Sequence, residues 1–458
     1  MQFSTPPRKT MSDLNEVKLE ALLDIINSSA RQAIAEYKKT GHGVPSADST
    51  TFHPLDLTTD TLALKKAIRL LEGAYHQLSA ALASPQHTVL NFVHTYNWAC
   101  TDVALRARIA DVLDKHPEGL SADKIADAVN LDRSNTARIL RALSLMGCFK
   151  EVEQNVFANT RVSLILQSKS NAGCYIRHHS QDISRYAGVL YESMTDPEFA
   201  SSPDVGKSPR SYLHKKDNIE DAYWTMIKDD DDRRNNFHRG MIGHSEIMGA
   251  SAVLHQYPWD DVSSVVDIGS GIGAFSMPLA KMFPHLKITN HDLPEIMKQV
   301  AQPTWEKNAP EILREGRVEF VTLDFFEGVP VAGKDVYYMR NIIHDWHDAE
   351  AIKIFLGVRK AMGPKSRVLI HEAILFQPFQ ETGVENVGLT LAPEPMLPNF
   401  GAGSCASYHQ DLTMWFAHNA KERTINEMKI LAATAGLALT QVYDLVETTV
   451  LEFMIAQD

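Results

Sequence analysis

The chain has 458 residues, 44% of them hydrophobic and 22% charged, with a formal net charge of −12. That length implies two or three domains with a sizeable core, and the acidic balance argues against nucleic acid or an anionic membrane as main partner. Cys100, Cys148, Cys174 and Cys405 stand far apart with no CxxC pair, which excludes a sequence-encoded zinc site or disulfide framework and fits a reducing compartment. With no apolar run of about 18 residues and no apolar signal core, the expected location is the cytoplasm.

The first dozen residues are polar, contain proline and read as disordered. From Leu14 to about Tyr37, the residues Leu14, Val17, Ala21 and Ile25 share one helical face. A Gly-, Pro-, Ser- and Thr-rich loop spans 40–60. Asp60 then reads as the N-cap of a second helix with a stripe of Leu64, Ala67, Ile68, Leu71, Tyr75 and Leu78. These helices either pack on their own domain or form a dimer interface, and the pattern leans towards the interface.

Residues 101–165 read as three helices and a β-hairpin. ALRARIADVLDKHPEG is the first helix with its exit, Ser121 caps the second, and DRSNTARILRALSLMG is the third, ended by Gly147. The hairpin turns around Gln154-Asn155, completing the outline of a winged helix. Arg133, Arg138 and Arg141 on the third helix raise a DNA-reading alternative. Asp132, Glu151 and the acidic chain oppose it. Residues 175–260 read as largely helical, with Asp229–Asp232 as a solvated helix start or loop. From Ser263, short β-branched runs alternate with amphipathic helices and end in a helix and a strand, which predicts an α/β domain with a parallel sheet covered on both faces.

VVDIGSGIGAF is a buried strand ending in Asp267 and running into Gly269, Gly271 and Gly273. Such glycines let backbone approach a ligand at the strand's carboxyl end. The next strand ends at Asp292-Leu293, where a carboxylate can accept ribose hydroxyls, and the following one leads to Asp324-Phe325, suited to an adenine amine and face. A dinucleotide is the competing ligand. Phe275 stands where a dinucleotide motif wants a small residue, so the tighter turn favours S-adenosyl-L-methionine.

YYMRNIIHDWHDAEAIKIF is a strand whose end carries His344, Asp345 and Trp346 before a helix. A neutral imidazole there can take a hydroxyl proton as the oxygen attacks a methyl sulfonium. Glu372, ending the next strand, and Glu422, in AKERT, are the candidates to orient it. His371 reads as structural, and no metal is expected.

In combination, DIGSGIG, HDLP, LDFF, IIHDWHD and AHNAKERT resemble the plant caffeate and flavonoid O-methyltransferase family and its fungal relatives over roughly residues 90–458. The resemblance implies a Rossmann-like seven-strand methyltransferase sheet, an N-terminal winged-helix dimerisation domain, a homodimer and a small hydroxylated, aromatic acceptor, phenolic or polyketide-derived. It places the base on His344, the flanking glutamates on Glu372 and Glu422, and cofactor contacts on Gly269, Asp292, Asp324, Phe325 and Arg340, where plant enzymes usually carry lysine. Acceptor-wall positions fall on Phe237, Met241, Met414 and Asn419, with His244, Asp345 and Trp346 beside them. The expected division is a helical extension over 1–90, a winged-helix and substrate-wall region over 91–260, and a cofactor-binding domain over 261–458. An insertion at 377–407 is placed to lid or reshape the acceptor site. Some fungal proteins resembling this family keep the cofactor yet catalyse pericyclic ring closures, the enzymatic alternative to methyl transfer.

Overall fold

The computed structural model describes residues 11–93, 95–202, 204–215, 230–379 and 387–457. The disordered reading of the first ten residues, Asp229 of the acidic run, and residues 380–386 of the insertion lie outside the described residues.

Helices α1 (Met11–Lys39) and α2 (Leu62–Leu82) pack together. Their buried faces match the expected stripes only in part, at Ile25, Ala67 and Leu78. On α1, Leu22, Ser29 and Ala33 are buried while Leu14 and Val17 are exposed. On α2, Leu62, Ala67, Arg69, Gly73 and Ala74 face inward and Tyr75 is exposed. The reason is tertiary. A Cβ on Gly73 would stand 2.2 Å from the Phe400 carbonyl oxygen, so this glycine admits the insertion's backbone. Met396 and Phe400 of that insertion complete a cluster with Leu22 and Ala74. The N-cap of α2 is Thr61, without a side-chain capping bond, rather than Asp60.

Helix α3 (Pro85–Val93) buries none of its residues. Next come α4 (Asn97–Arg106) and α5 (Ile109–Leu113), which split the single helix expected there at Arg108, whose φ is 55°. Strand β1 (Leu120–Ser121), α6 (Ala122–Val129), α7 (Arg133–Ser144), β2 (Lys150–Glu153) and β3 (Val156–Ala158) follow. The three strands form a small sheet in the order β1-β3-β2. Ser121 caps α6 and Asp132 caps α7, while Ile109, Leu113, Ile125, Leu140, Phe149 and Phe157 fill the core. This is the winged-helix outline. Its arginines are engaged locally: Arg133 pairs with Asp127 at 2.7 Å and Arg141 with Glu151 at 2.7 Å, which weakens the DNA-reading alternative.

Helix α8 (Asn171–His178) packs against α9 (Asp231–Ile247), whose N-cap Asp230 accepts from the Asp232 and Arg233 amides. The large sheet contains β4 (Ser264–Ile268), β5 (Lys287–Asp292), β6 (Val318–Thr322), β7 (Val336–Arg340), β8 (Arg367–Glu372), β11 (Leu437–Asp444) and β12 (Thr449–Ile455), in the order β11-β12-β8-β7-β4-β5-β6. A short pair, β9 (Ile374–Leu375) with β10 (Arg423–Thr424), lies apart. Helices α10 (Ser276–Met282), α11 (Asp348–Ala361), α12 (Cys405–His418) and α13 (Ile425–Thr434) belong to this half.

The expected seven-strand sheet is present, parallel through most of its width and antiparallel at one edge. Strands β4 to β8 are parallel, but β12 runs antiparallel to both β8 and β11. The chain ends in two strands joined by a tight turn closed by Leu445 N–H to the Thr448 carbonyl at 3.0 Å, and so short a connection permits only antiparallel pairing. Along β7, Val336 and Tyr338 enter one core cluster while Tyr337 and Met339 enter the other. Burial on both faces explains why these strands are continuously apolar. No helix among the described residues is long and apolar enough to cross a membrane.

Candidate functional site

The parallel strands end along one edge of the sheet, which collects most of the polar residues singled out in the sequence. After β4 the chain passes through Gly269, Gly271 and Gly273 at φ values of 70°, 53° and 81°, a left-handed run that side chains resist. A Cβ on Gly269 would meet Ile342 at 2.3 Å, and one on Gly273 would meet the Trp305 indole nitrogen at 2.3 Å. At Gly271 nothing lies within 4 Å, so this backbone faces open space. The Gly271 N–H donates to Asp292 Oδ2 at 2.8 Å and the Leu293 N–H to Oδ1 at 2.8 Å. The Asp292 carboxylate is thereby fixed with acceptor capacity remaining on each oxygen.

Asp267 is 3% exposed, and its Oδ2 has no hydrogen-bond partner. Burial pushes its carboxyl up to about 7 against the pull of Arg340 at the end of β7. Asp324 Oδ1 accepts from the Phe326 amide at 2.9 Å. The Phe325 and Phe326 rings lie 6.0 and 4.6 Å from that of Trp346, both nearly perpendicular to it. An orphaned buried carboxylate oxygen, a backbone approach left open, a fixed carboxylate and an aromatic wall fit an adenosine that carries an amino acid.

His344 lies in a tight turn directly after β7 and is 5% exposed. Its Nδ1 is 2.7 Å from Glu422 Oε1. Burial alone would lower the imidazole pKa. Glu422 foremost, then Asp345 and Glu372, reverse this and raise it to about 10. With Glu422 accepting from Nδ1–H, the neutral ring keeps its lone pair on Nε2, which is 3.7 Å from Asp345 Oδ1. Glu422 is itself held by its own amide donating to Asp411 Oδ1 at 2.9 Å.

The expectation that two glutamates grip the imidazole is corrected for Glu372. Its Oε1 accepts the backbone amides of Ile342, Ile343 and His344 at 3.2, 2.6 and 3.2 Å. The reason lies in the sheet: β8 is the neighbour of β7, so the end of β8 faces the amides of the turn that leaves β7. Burial pushes the Glu372 carboxyl up to about 7, while His344 opposes the rise. His371 bonds Tyr338 and Thr448, as a structural residue would.

Sequence reasoning missed Arg423. Fully buried, it donates to the carbonyls of Ile343 at 2.8 Å and Trp346 at 2.6 Å and pairs with Asp348 at 2.8 Å. Glu372 thus holds the turn's amides and Arg423 its carbonyls. The available signal was an arginine directly beside Glu422.

The residues expected at the acceptor wall lie in different settings. His244 is buried on α9 and Met414 on α12, and the Phe237 ring stands edge-on to His178 at 5.8 Å. Met241 is exposed. Asn419 caps α12 with φ 52°, and its amide donates to the Ser202 and Asp204 carbonyls at 2.9 and 2.8 Å. That amide is committed to the backbone rather than free for an acceptor. The described part of the insertion contacts α2 through Pro395, Phe400 and Gly403 and leads into α12. Among the described residues no group of three or more His, Cys, Asp or Glu could hold a metal ion.

The sequence model of an O-methyltransferase domain matches residues 211–438, and that of an O-methyltransferase dimerisation domain matches residues 96–169. A 3-O-methyltransferase 2 of Phanerochaete chrysosporium is 33% identical over 441 residues, covering 95% of this chain and 97% of that protein. The O-methyltransferase gedA of Aspergillus terreus is 27% identical, covering 95% of both chains. Among solved structures, CalO1, a methyltransferase of calicheamicin biosynthesis in its SAH-bound form, superposes with a TM-score of 0.63 at 21% identity, over 82% of this chain and all of that one; this last likeness speaks to the fold. With a relative this similar along nearly its whole length, the chain belongs to the S-adenosylmethionine-dependent O-methyltransferases.

Proposed function

We propose that His344 is the general base for methylation of a hydroxyl on a small aromatic acceptor, phenolic or polyketide-derived. The observation that carries this reading is the buried 2.7 Å contact between His344 Nδ1 and Glu422 Oε1 at the carboxyl edge of the sheet. S-adenosylmethionine supplies an electrophilic methyl on a sulfonium. Asp267, Gly271, Asp292, Asp324 and Phe325 would hold it, with Arg340 beside Asp267. His344 Nε2 takes the acceptor's proton, and Glu422 stabilises the imidazolium that forms. Glu372 and Arg423 fix the backbone of the turn, so that the ring is aligned before the acceptor arrives. The buried setting excludes water from the proton transfer.

The working unit in this reading is a homodimer. Helix α3 buries no residue, and Val89, Leu90, Phe92 and Val93 on it are exposed, as is Trp98 beyond it. This apolar strip runs into the segment that matches the dimerisation domain, and a patch of that kind is what a partner covers. The three-part division near residues 90 and 260 belongs to the same proposal. So does a cytoplasmic location, which agrees with four free cysteines.

The test is calorimetric titration with S-adenosylmethionine and S-adenosylhomocysteine, followed by a panel of phenols assayed for adenosylhomocysteine release. Micromolar binding with release on a phenol supports the reading. Binding without release on any hydroxylated acceptor would overturn methyl transfer as the reaction, and no binding would overturn the pocket.

A further inference from the structure

Helix α12 packs against the turn that holds His344. At its end Asn419, with φ 52°, reverses the chain, and the Ala420 amide donates back to the Met414 carbonyl at 3.3 Å. The returning segment lies along the helix, so that the Glu422 amide reaches Asp411 Oδ1 at 2.9 Å across eleven residues of sequence.

That bond matters because the Glu422 carboxylate has little else to place it. Among the described residues its Oε1 meets His344 Nδ1 at 2.7 Å, and its Oε2 has no hydrogen-bond partner. The neighbouring Arg423 guanidinium is committed to Ile343, Trp346 and Asp348. A side chain without an anchor of its own stands where its backbone puts it, and a misplacement of about 1 Å in a catalytic group can cost ~100-fold in rate.

Helix α12 is itself seated on α2. The 401–404 turn that leads into it passes so close that a Cβ on Gly403 would stand 2.1 Å from the Arg69 carbonyl oxygen. Ser407 Oγ, in the first turn of α12, donates at 3.5 Å to the carbonyl of Glu447, whose carboxylate pairs with Lys65 of α2 at 2.8 Å. Backbone lies against backbone at the start of α12, and the Asn419 amide ties its end to the Ser202 and Asp204 carbonyls.

We propose that Asp411 is a positioning residue for the reaction: from α12, seated on α2, it holds the Glu422 backbone so that the Glu422 carboxylate stays on His344 Nδ1. This deepens the O-methyltransferase reading and rests on it. Burial lowers the imidazole pKa, and the carboxylates that reverse this are those of Glu422, Asp345 and Glu372. His244 and His418, which also face His344, are held well below the ordinary histidine value by burial. Asp411 is not among the groups that raise His344; its own carboxyl, raised by burial, faces Glu422, Glu427 and Lys421. Its effect on the imidazole therefore runs through Glu422.

The experiment is an NMR titration of the full chain, labelled with carbon-13 histidine and saturated with S-adenosylhomocysteine. The His344 signal is assigned by its loss in His344→Gln. Wild type is compared with Asp411→Ala, Asp411→Asn, Gly403→Ala, Glu422→Gln and the double variant Asp411→Ala with Glu422→Gln. Asp411→Ala should lower the His344 midpoint by ~1 pH unit or more, a tenfold loss of proton affinity, because the charge that raises it moves away. Asp411→Asn keeps an acceptor oxygen and should restore most of the wild-type midpoint. Gly403→Ala pushes α12 off α2 and should shift the midpoint in the same direction as Asp411→Ala. In the Glu422→Gln background, Asp411→Ala should add nothing. A residue that only supports the fold lowers the melting temperature and leaves the midpoint in place; that result, or a shift that persists without Glu422, overturns the proposal. If Asp411→Ala does not fold, Gly403→Ala decides, and an unmoved midpoint overturns the proposal. Adenosylhomocysteine release on the phenol panel is assayed in parallel. Release with an unmoved midpoint sinks the positioning role alone, and the expected shifts without release by wild type sink the methyl-transfer reading alone.

Discussion

Glu372 and His344 meet at one turn without their side chains touching: Glu372 Oε1 accepts the His344 backbone amide at 3.2 Å, while the imidazole is turned to Glu422. The two glutamates therefore do different work. Glu422 sets the charge and tautomer of the ring, and Glu372 sets where its backbone stands.

Replacing His344 tests the proposed chemistry. His344→Ala should lower the rate of methyl transfer by ~10²- to 10⁴-fold, the usual worth of a positioned general base. S-adenosylhomocysteine affinity should change less than about threefold, because the proposed cofactor residues other than Arg340 lie on or just after β4, β5 and β6. Single-turnover rates and calorimetry read the two quantities separately, and a variant with wild-type turnover would refute the role.

The pH dependence follows from the raised imidazole pKa. The base works when neutral, so the rate should climb with pH from the ordinary histidine value of ~6.5 towards about 10. Glu422→Gln removes the charge that raises the pKa, and its acid limb should move down. The stability term has the opposite course: because the folded pKa is the higher one, the stabilisation is fully present below ~6.5 and is lost as pH rises through about 10. Rate and melting profiles for wild type and Glu422→Gln check both signs.

Glu372 offers a contrast. Glu372→Ala leaves the Ile342, Ile343 and His344 amides without their acceptor, at about 1–3 kcal/mol for each that stays buried and unpaired. Stability and rate should both fall. Glu372→Gln keeps an acceptor oxygen and should retain the fold, with a smaller shift of the acid limb than Glu422→Gln. Urea melts beside pH–rate profiles decide this, and equal limb shifts would contradict the division of labour.

The glycine turn separates packing from binding. Gly273→Ala puts a Cβ 2.3 Å from the Trp305 nitrogen and should destabilise the empty protein by ~1–3 kcal/mol through overpacking. Gly271→Ala meets nothing within 4 Å and costs only the left-handed strain of ~1–2 kcal/mol. Its larger effect should be on S-adenosylmethionine affinity. Thermal melts and calorimetry distinguish the two variants.

Arg69 ties the N-terminal helices to the catalytic half. It pairs with Asp444 at 2.5 and 2.9 Å, and both side chains are 3% exposed; its guanidinium also stacks 3.7 Å from the centre of the Phe400 ring. Arg69→Met strands a buried carboxylate and should cost ~3–5 kcal/mol. A denaturant midpoint equal to wild type would refute that.

Much of this was legible in the chain itself, because some patterns are local. The glycines after β4 announce a left-handed turn, and the strand ends at Asp292, Asp324, His344 and Glu372 are adjacent wherever parallel strands run in register, so one edge of a sheet collects them. Ser121 and Asp132 cap their helices through bonds that span only a few residues. Other features needed distant chain to arrive. The buried face of α2 is set by Phe400 and Asp444, more than three hundred residues away, and periodicity cannot foresee which stripe such partners choose. Whether Glu372 or Glu422 takes the imidazole depends on two or three ångströms between side chains, which spacing along a sequence does not encode. The same holds for Arg423 and for the amide of Asn419. Local chemistry fixes which groups reach the sheet edge. Only the packing of elements remote in sequence decides which of them touch.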